Sequence, residues 1–287
     1  MVDQKRISDR KGRVAELEQI AKRVRCDIIY ALAHAGSGHP GGSLSATDFS
    51  VALYFDAIKH DPGVCEWEGR DRVIFSKGHV TPLIFSLLAE AGYIEREELK
   101  TFRQYGSRLQ GHPNLQCPGI EVGTGSLGQG LSIAVGLALG LRLDKKPNRV
   151  YCIMGDGENQ EGSTWEAIMS AGHFKLDNVC VVLDNNGLQI DGWVEEVMGL
   201  QPLADKWRAF RWNVIEIDGH NMAECVHAFE QAAQTKGQPT VILAKTVKGK
   251  GVSFMENRAE WHGKAPKPDE ARAALQELAC PAEYFDF

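Results

Sequence analysis

An aspartate between two glycines ends an apolar segment that has the composition of a buried strand. Val150 to Met154 is an uninterrupted apolar run, and Gly155-Asp156-Gly157 follows it directly. Glycine and aspartate are common in turns, so a tight turn alone is one interpretation. A second apolar run, 179–183, ends in the same way, because Asp184-Asn185-Asn186 comes next. A turn does not explain why two such segments both end in polar clusters.

Asp156 and Asn186 together could hold a divalent metal ion. Their side chains offer two hard oxygen ligands of the kind that Mg²⁺ prefers, and Mg²⁺ commonly shares its other positions with water and phosphate. Gly155 and Gly157 would let a diphosphate approach the backbone closely. The helix expected after them would present free N–H groups and its positive dipole end to the same anion. The pattern therefore indicates a metal and diphosphate site.

The elements that must position these residues alternate between strand and helix. From the spacing of apolar residues, the predicted helices are 19–35, 45–58, 81–91, 163–171, 202–209 and 222–235. The predicted strands are 72–75, 150–154, 179–183, 213–217 and 240–245. This alternation predicts an α/β fold in which a mostly parallel sheet carries helices on both faces. Ligands of such sheets bind beyond the carboxyl ends of the strands. Asp156 and Asn186 would share that rim if their strands are neighbours.

Composition and charge argue against several classes of partner. The chain has 287 residues, of which 43% are hydrophobic, and a net charge of −6. A nucleic-acid partner would require a basic face, and the sequence has no run of about 18 apolar residues that could span a membrane. Residues 1–13 are charged and lack the apolar segment of a secretory signal. The seven cysteines are scattered. An odd number of unpaired thiols, with Cys152 and Cys180 as core residues, is typical of a reducing compartment, here the cytoplasm.

One main domain is the economical interpretation of the chain, which shows no internal repeat and no low-complexity segment. We expect a charged amino-terminal arm over residues 1–14, a main domain over 15–263 and a carboxy-terminal extension over 264–287. The extension contains three prolines and many charges. Its composition therefore resembles the start of a linker.

Gly-Asp-Gly-Glu followed about thirty residues later by Asn-Asn resembles the thiamine diphosphate-binding motif. Further stretches resemble transketolase, in the order that this family has them: SGHPGGSLSATD (37–48), DRVIFSKGHVTPLIFSLLAEAGY (71–93), GHPN (111–114), GTGSLGQGLSIAVGLALG (123–140) and WHGKAP (261–266). The resemblance covers nearly all of residues 15–266 and matches the amino-terminal part of a transketolase. It implies a thiamine diphosphate-binding fold. It also implies the transfer of a two-carbon ketol unit from a ketose or ketose phosphate to an aldose.

The resemblance assigns ligands to the metal and to the cofactor. Asp156, Asn186 and the backbone carbonyl of Leu188 would bind Mg²⁺, or Ca²⁺ or Mn²⁺ in its place. Contacts with thiamine diphosphate are implied for these residues: His79, Gly125, Ser126, Leu127, Gly155, Asp156, Gly157, Glu158 and Asn186. Gly157 would lie against the diphosphate, and residues 125–127 would meet the aminopyrimidine.

Four of the nine histidines lie beside glycines at positions that match the family, namely His39, His79, His112 and His262. A single histidine is more often structural. Cleaving a C–C bond next to a hydroxyl requires a base, however, and imidazole titrates near neutral pH. The resemblance makes His39 and His262 the candidates for proton transfer. His79 would contact the diphosphate or the sugar, and His112 the terminal hydroxyl of the two-carbon unit. The other five keep a structural interpretation, although Gly219-His220 adjoins a strand end.

Glu161 matches a carboxylate that helps link the two active sites of a transketolase dimer. The alternative is a helix-start glutamate that favours the helix dipole. The residues that match the family include neither its pyrimidine-binding domain nor its third domain. The resemblance therefore implies a carboxy-terminal partner subunit that carries the pyrimidine-binding domain, with two copies of each chain in a heterotetramer. The substrates would be small sugars.

Three other interpretations stay open from the sequence. Gly123, Gly125 and Gly128 fit the Gly-x-Gly-x-x-Gly fingerprint of nicotinamide enzymes, which requires a preceding strand and an acid about twenty residues on. A non-catalytic regulatory subunit could keep the fold, although it would need neither the metal ligands nor the histidines. Related thiamine-dependent enzymes share Gly-Asp-Gly. The histidine loops favour transketolase over pyruvate dehydrogenase alpha subunits, whereas GSLGQG also resembles deoxyxylulose-phosphate synthase.

Overall fold

A parallel sheet lies at the centre of the chain in a computed structural model that describes residues 2–287, with side chains from residue 11 onward. The strands are β1 (Arg72–Phe75), β2 (Val150–Gly155), β3 (Val179–Asn185), β4 (Leu188–Gln189), β5 (Gly192–Trp193), β6 (Asn213–Asp218) and β7 (Thr240–Lys245). The helices are α1 (Val2–Ala35), α2 (Pro40–Ser45), α3 (Thr47–Ala52), α4 (Thr81–Glu90), α5 (Gly130–Leu143), α6 (Gly162–His173), α7 (Val194–Met198), α8 (Leu203–Ala209), α9 (Met222–Gln234) and α10 (Pro268–Glu277).

Five strands form the sheet in the order β1-β2-β3-β7-β6, and β4 pairs with β5 in a separate hairpin. All four pairings within the large sheet are parallel. β2 and β3 are neighbours, with Gly155 opposite Asp184. This adjacency confirms the condition on which the sequence argument depended, because it brings the segments after both strands to one rim.

Successive residues of the strands face two different layers of helices. Tyr151 and Ile153 of β2 pack in a core with α1, α3, α4 and α9. Cys152 and Met154 of the same strand pack in a second core with α5, α6 and α8. Because both faces are buried, the central strands β2 and β3 carry uninterrupted apolar runs, 150–154 and 179–183, whereas the edge strand β6 includes polar residues such as Glu216. The predicted α/β fold with helices on both faces is confirmed.

The predicted helices and strands agree with the observed ones except where glycines occur in a helix or where the helix type changes. The five predicted strands are all present. The helix expected over 45–58 is divided into α2, α3 and a π-helical turn, Leu53–Ala57. α5 was not predicted as an element because Gly130, Gly136 and Gly140 lower its helix propensity. Tertiary packing of Leu131, Ala134 and Ala138 against the sheet overrides that propensity.

The carboxy-terminal extension packs into the domain, so its interpretation as the start of a linker was wrong. α10 buries Ala271, Ala274 and Leu275 in the core that contains α1. Beyond it, the ring of Tyr284 packs edge-on against Tyr30, with centroids 5.7 Å apart. Pro268 does not interrupt this helix because it stands at the first position, where a proline is favourable.

Two cysteines far apart in the sequence are joined, so the expectation of unpaired thiols was wrong for this pair. Cys26 in α1 and Cys280 after α10 form a disulfide, with Cα atoms 5.9 Å apart. The bond ties the extension to α1 at a separation of 254 residues. Cys152 and Cys180 are free and fully buried, as expected.

The expected charged arm, residues 1–14, coincides with the beginning of α1. The side chains of residues 1–10 lie outside the described residues. The division of the chain into three parts at residues 14 and 263 stays a prediction. In the part of the chain that the structure describes, no helix combines the length and the apolar composition needed to cross a membrane.

Candidate active site

Asp156 joins the two polar segments that the sequence singled out. It follows β2 and is 3% exposed. One carboxylate oxygen accepts a hydrogen bond from the backbone N–H of Gly157 at 2.7 Å, and the other accepts from Gly187 at 2.5 Å. Burial and then the neighbouring Asp184 charge raise the pKa of Asp156. A cation at this carboxylate would offset both effects, because opposite charge favours the ionised form.

The loop after β3 presents two further oxygens toward the same cavity. The Asn186 side chain donates to Asp184 at 3.0 Å, and its Oδ1 accepts from the backbone N–H of Leu188 at 3.0 Å. Gly187 between them has φ +75°, a conformation that glycine adopts without strain. The Leu188 carbonyl accepts from the Lys248 ammonium at 3.0 Å. Asp156, Asn186 and Leu188, the three residues that the resemblance assigns to a metal, all line one cavity.

Asp184, which the sequence analysis did not single out as a site residue, organises the rim. It is fully buried and accepts hydrogen bonds from Ser45 at 2.6 Å, from Thr246 and from the Lys77 ammonium. Burial alone would raise the pKa of Asp184, but the Lys77 charge and these hydrogen bonds lower it. The group is therefore an ionised carboxylate that connects β3 to the segments after β1 and β7 and to α2.

Two buried lysines in the site were missed by the sequence analysis. Lys77 and Lys248 are each 2% exposed and both border the cavity. The Lys248 ammonium lies 2.9 Å from Nδ1 of His262. Burial and then the Lys77 charge lower the pKa of Lys248 to about 8. Both lysines follow parallel strands, β1 and β7, so the rule that placed Asp156 at the rim could have found them as well.

Three of the four predicted histidines form a triangle beside these lysines. The ring centroids of His39 and His79 are 5.1 Å apart, those of His79 and His262 are 5.1 Å apart, and those of His39 and His262 are 5.6 Å apart. Loops after α1, β1 and β7 bring them together from positions more than 200 residues apart. The sequence analysis proposed all three for the site.

Burial and nearby positive charge keep the three imidazoles neutral. Burial and then the Arg103 charge lower the pKa of His39 to about 4. Burial and then the Lys248 charge lower the pKa of His262 to about 3. Burial and the Lys77 charge lower the pKa of His79 well below its ordinary value. A neutral imidazole has an unprotonated nitrogen that can accept a proton, and a lowered pKa at the same time makes it a weaker base than a free histidine.

The fourth histidine and the glycine loop lie at the edge of the site. His112 is exposed, and its ring lies beside Gly125, where an added Cβ would approach it to 2.7 Å. Gly125 has φ +147°, so this position excludes a side chain on two grounds. Leu127 borders the cavity, whereas Ser126 is exposed. The nicotinamide interpretation fails here, because the described chain has no strand between Thr101 and Gly130.

Two glutamates after β2 have different surroundings. Glu158 is buried and accepts hydrogen bonds from Ser76, from the backbone of Gly128 at 2.8 Å and from that of Gly155 at 3.2 Å. It thus holds the glycine loop against the ends of β1 and β2. Glu161 is exposed at the start of α6, and within residues 11–287 its carboxylate has no hydrogen-bond partner. The role of Glu161 in linking two active sites stays a prediction, and so does the alternative that it only favours the dipole of α6.

One cavity of about 370 Å³, the strand-end cavity, is lined by the three clustered histidines, by both lysines and by the three residues that the resemblance assigns to a metal, namely His39, His79, His262, Lys77, Lys248, Asp156, Asn186 and Leu188. The residues present fit a metal ion and a diphosphate. Asp156 supplies a buried carboxylate, Asn186 and Leu188 supply neutral oxygens, and such a set suits Mg²⁺. Gly42, Gly125, Gly155 and Gly157 also line the cavity and leave its walls without side chains. Lys248 adds positive charge for an anion, whereas the charge of Lys77 is balanced by Asp184.

The chain is similar to known proteins over almost its whole length. The family model described as "Transketolase, thiamine diphosphate binding domain" matches residues 17–286. An apulose-4-phosphate transketolase subunit of Phocaeicola vulgatus is 40% identical over 93% of this chain and 95% of its own length. A 6-deoxy-6-sulfo-D-fructose transketolase subunit of a Clostridium species is 44% identical over 92% of this chain and 96% of its own. The structure of transketolase from Leishmania mexicana superposes with a TM-score of 0.88 at 31% identity, over 94% of this chain and 42% of that one.

We expect Asp184→Asn to destabilise the fold strongly. The substitution keeps the shape of the side chain but leaves the buried Lys77 ammonium without its counter-charge, which costs about 3–5 kcal/mol of unfolding free energy. Urea unfolding followed by circular dichroism measures the loss. Lys77→Met added to this variant should recover part of it, because the unpaired charge is then gone. Asp205→Asn, in an exposed ion pair with Arg208, is the control and should leave the midpoint unchanged. Equal midpoints for Asp184→Asn and the control would contradict the role assigned to Asp184.

Proposed function

This chain belongs to the transketolase family, as its thiamine diphosphate-binding domain, and from that premise we propose how its residues contribute to the reaction. Enzymes of the family transfer a two-carbon ketol unit from a ketose donor to an aldose acceptor, and relatives of the same length are named as subunits. The chain is accordingly a transketolase subunit that works with a partner subunit. The proposal rests on one observation: Asp156, Asn186 and the histidine triangle all line the same cavity.

We propose that Asp156, Asn186 and the Leu188 carbonyl bind Mg²⁺, or Ca²⁺ or Mn²⁺. Two observations support this proposal. All three ligand atoms are oxygens, and the Asp156 carboxylate is buried next to the negative charge of Asp184, so a bound cation would stabilise its ionised form. Gly155 and Gly157 would face the diphosphate, with Lys248 as a further positive charge beside it. Gly125, Ser126 and Leu127 would meet the aminopyrimidine. Glu158 would act indirectly, because its hydrogen bonds hold that glycine loop.

We assign the proton transfers to the histidine triangle. Bound thiamine diphosphate supplies the electron sink for C–C bond cleavage. His39 and His262 would take the proton of the substrate hydroxyl at an imidazole nitrogen and return it in the reverse direction. Both rings are neutral, so each has an unprotonated nitrogen that can take the proton, which supports this role. His79 would contact the diphosphate or the sugar, and His112, at the exposed edge, the terminal hydroxyl of the two-carbon unit.

An exposed apolar surface beside the strand-end cavity supports docking of a partner. Leu127 and Ile190 border the cavity and are 39% and 69% exposed. Trp193 and Met198 follow in the same segment and are 45% and 62% exposed. Apolar side chains grouped in this way mark interaction surfaces. We propose that the partner carries the pyrimidine-binding domain, and that two copies of each chain form a heterotetramer in which Glu161 links the active sites.

The substrates and the location are proposed only by class. Relatives are named for apulose 4-phosphate and for 6-deoxy-6-sulfo-D-fructose, both of which are small anionic ketoses. We propose a small ketose or ketose phosphate as donor and an aldose as acceptor. We also propose a cytoplasmic location, because five of the seven cysteines are free, although the disulfide between Cys26 and Cys280 is unusual for a reducing compartment.

Asp156→Ala should abolish metal-dependent binding of the cofactor. Loss of an outer-shell partner of a metal ligand already weakens metal binding by about 10–100-fold, so loss of a ligand itself should weaken it by about 100-fold or more. Isothermal titration of the assembled enzyme with thiamine diphosphate and Mg²⁺ measures the change. Asp205→Ala is the control for loss of a remote carboxylate. Unchanged affinity in Asp156→Ala would refute the metal assignment.

His262→Ala should lower turnover far more than it lowers cofactor binding. General acid–base catalysis contributes about 10²–10⁴-fold in rate, and kcat should fall by about that range. Steady-state kinetics at saturating thiamine diphosphate measures kcat, and calorimetry measures the cofactor affinity. His227→Ala removes an exposed histidine of α9 and should match the wild type. Full activity of His262→Ala would make this residue structural.

The chain alone should have no transketolase activity. By resemblance, a glutamate that activates the cofactor lies on the pyrimidine-binding domain, which we place on a partner of about 300 residues. The purified chain should therefore be inactive with thiamine diphosphate, Mg²⁺ and a ketose donor, and addition of the partner should restore turnover. The ratio of chains that gives maximal activity should be one to one. Strong activity from the 287-residue chain alone would overturn the proposed division of the site.

A further inference from the structure

We propose that His220 is a positioning residue for the strand-end cavity: it holds the 246–251 loop (Thr246–Gly251) so that Lys248 reaches the site. The inference deepens the proposed function and rests on it, because Lys248 is useful only if the cavity binds an anionic cofactor. His220 itself follows β6 and does not border the strand-end cavity. Whatever it contributes must pass through the residues that it touches.

A continuous chain of hydrogen bonds joins four distant segments through His220. Arg25 of α1 donates from both terminal nitrogens to Asp48 of α3, at 2.9 and 2.6 Å. The same carboxylate lies 2.7 Å from Nδ1 of His220. Nε2 of His220 accepts from the backbone N–H of Val247 at 2.8 Å. The side chains of Arg25, Asp48 and His220 are 11%, 10% and 12% exposed, so water competes little for these bonds.

The chemistry of the chain determines the tautomer of the ring. A backbone N–H can only donate, so Nε2 must be the unprotonated nitrogen, and Nδ1 carries the hydrogen that Asp48 accepts. Burial would raise the pKa of Asp48, but the Arg25 charge and the bonds from His220 and Arg25 lower it to about 2. The carboxylate is therefore ionised at neutral pH and orients the ring toward Val247.

The bond to Val247 matters because of its position next to Lys248. The N–H of Val247 on one side is held by His220, and the N–H of Gly249 on the other side donates to the Gly41 carbonyl at 3.0 Å. Between them, the Lys248 side chain reaches the cavity, where its ammonium meets the Leu188 carbonyl and His262. The backbone on both sides of the cation is thus held before any ligand binds, which reduces the ordering that binding requires.

Two substitutions separate the two bonds of His220. His220→Asn keeps a donor near Nδ1 for Asp48 and loses the acceptor for Val247. His220→Gln keeps an acceptor near Nε2 for Val247. If the loop is held through Val247, amide hydrogen exchange in the chain alone should accelerate over residues 246–251 in His220→Asn and stay close to wild type in His220→Gln. His227→Asn is the control, since that histidine is exposed on α9. Equal acceleration in both His220 variants, or none in either, would overturn the proposal.

The consequence for the site is measured in the enzyme assembled with its partner. His220→Asn should weaken the binding of thiamine diphosphate by about tenfold. The affinity of His220→Gln for the cofactor should stay within about threefold of that of the wild type. Adding His220→Asn to Lys248→Met should cause no further loss of cofactor affinity, because the effect of His220 passes through Lys248. If the losses of affinity in the two single variants add up in the double variant, His220 does not act through Lys248. Cofactor binding by the wild type and its loss in Asp156→Ala test the proposed function separately, since neither involves His220.

Discussion

The buried carboxylate of Asp184 is the interaction on which the site depends. A parallel sheet brings the ends of β1, β3 and β7 to one rim, where polar groups lose water and must find partners in the protein. Asp184 supplies a shared acceptor for Ser45, Lys77, Thr246 and Asn186, which belong to segments as much as 200 residues apart in the chain. Breaking this junction would release the Asn186 loop and uncover a buried ammonium. Fold stability and the geometry of the proposed metal site would therefore depend on the same group.

The same rim explains why the acids and the bases of the site differ so strongly in proton affinity. Asp184 is ionised because Lys77 and three further donors face it. Asp156 has two backbone donors and a second carboxylate nearby, so its charge is less well compensated and remains available to a cation. His262, beside Lys248, is kept neutral by that positive charge and by burial. Positive charge thus both attracts an anion and keeps the proton acceptors unprotonated.

The sequence was sufficient for the fold class and for those site residues that follow strands directly. Asp156 and Asn186 were found because apolar runs ending in polar clusters mark the rim of a parallel sheet. The helix α5 was hidden by its three glycines, and α10 by prolines and charges that stand at favourable positions. Asp184, Lys77 and Lys248 were missed for another reason. They also follow strands, which places them at the rim, but a local pattern carries no information on the contacts across 60 to 139 residues that give them their roles.

An active site divided between two chains, as we propose here, forms at a lower entropic cost when each half is already ordered. The hydrogen bonds of Asp184 and His220 join distant segments of this chain to one another, so the partner need not supply these bonds. The segment on which we propose that the partner docks contains the exposed side chains of Ile190 and Trp193 and lies beside these bonded segments. Less conformational entropy is lost on association with an ordered surface than with a disordered one. The long-range polar junctions of the rim therefore make a shared active site energetically feasible.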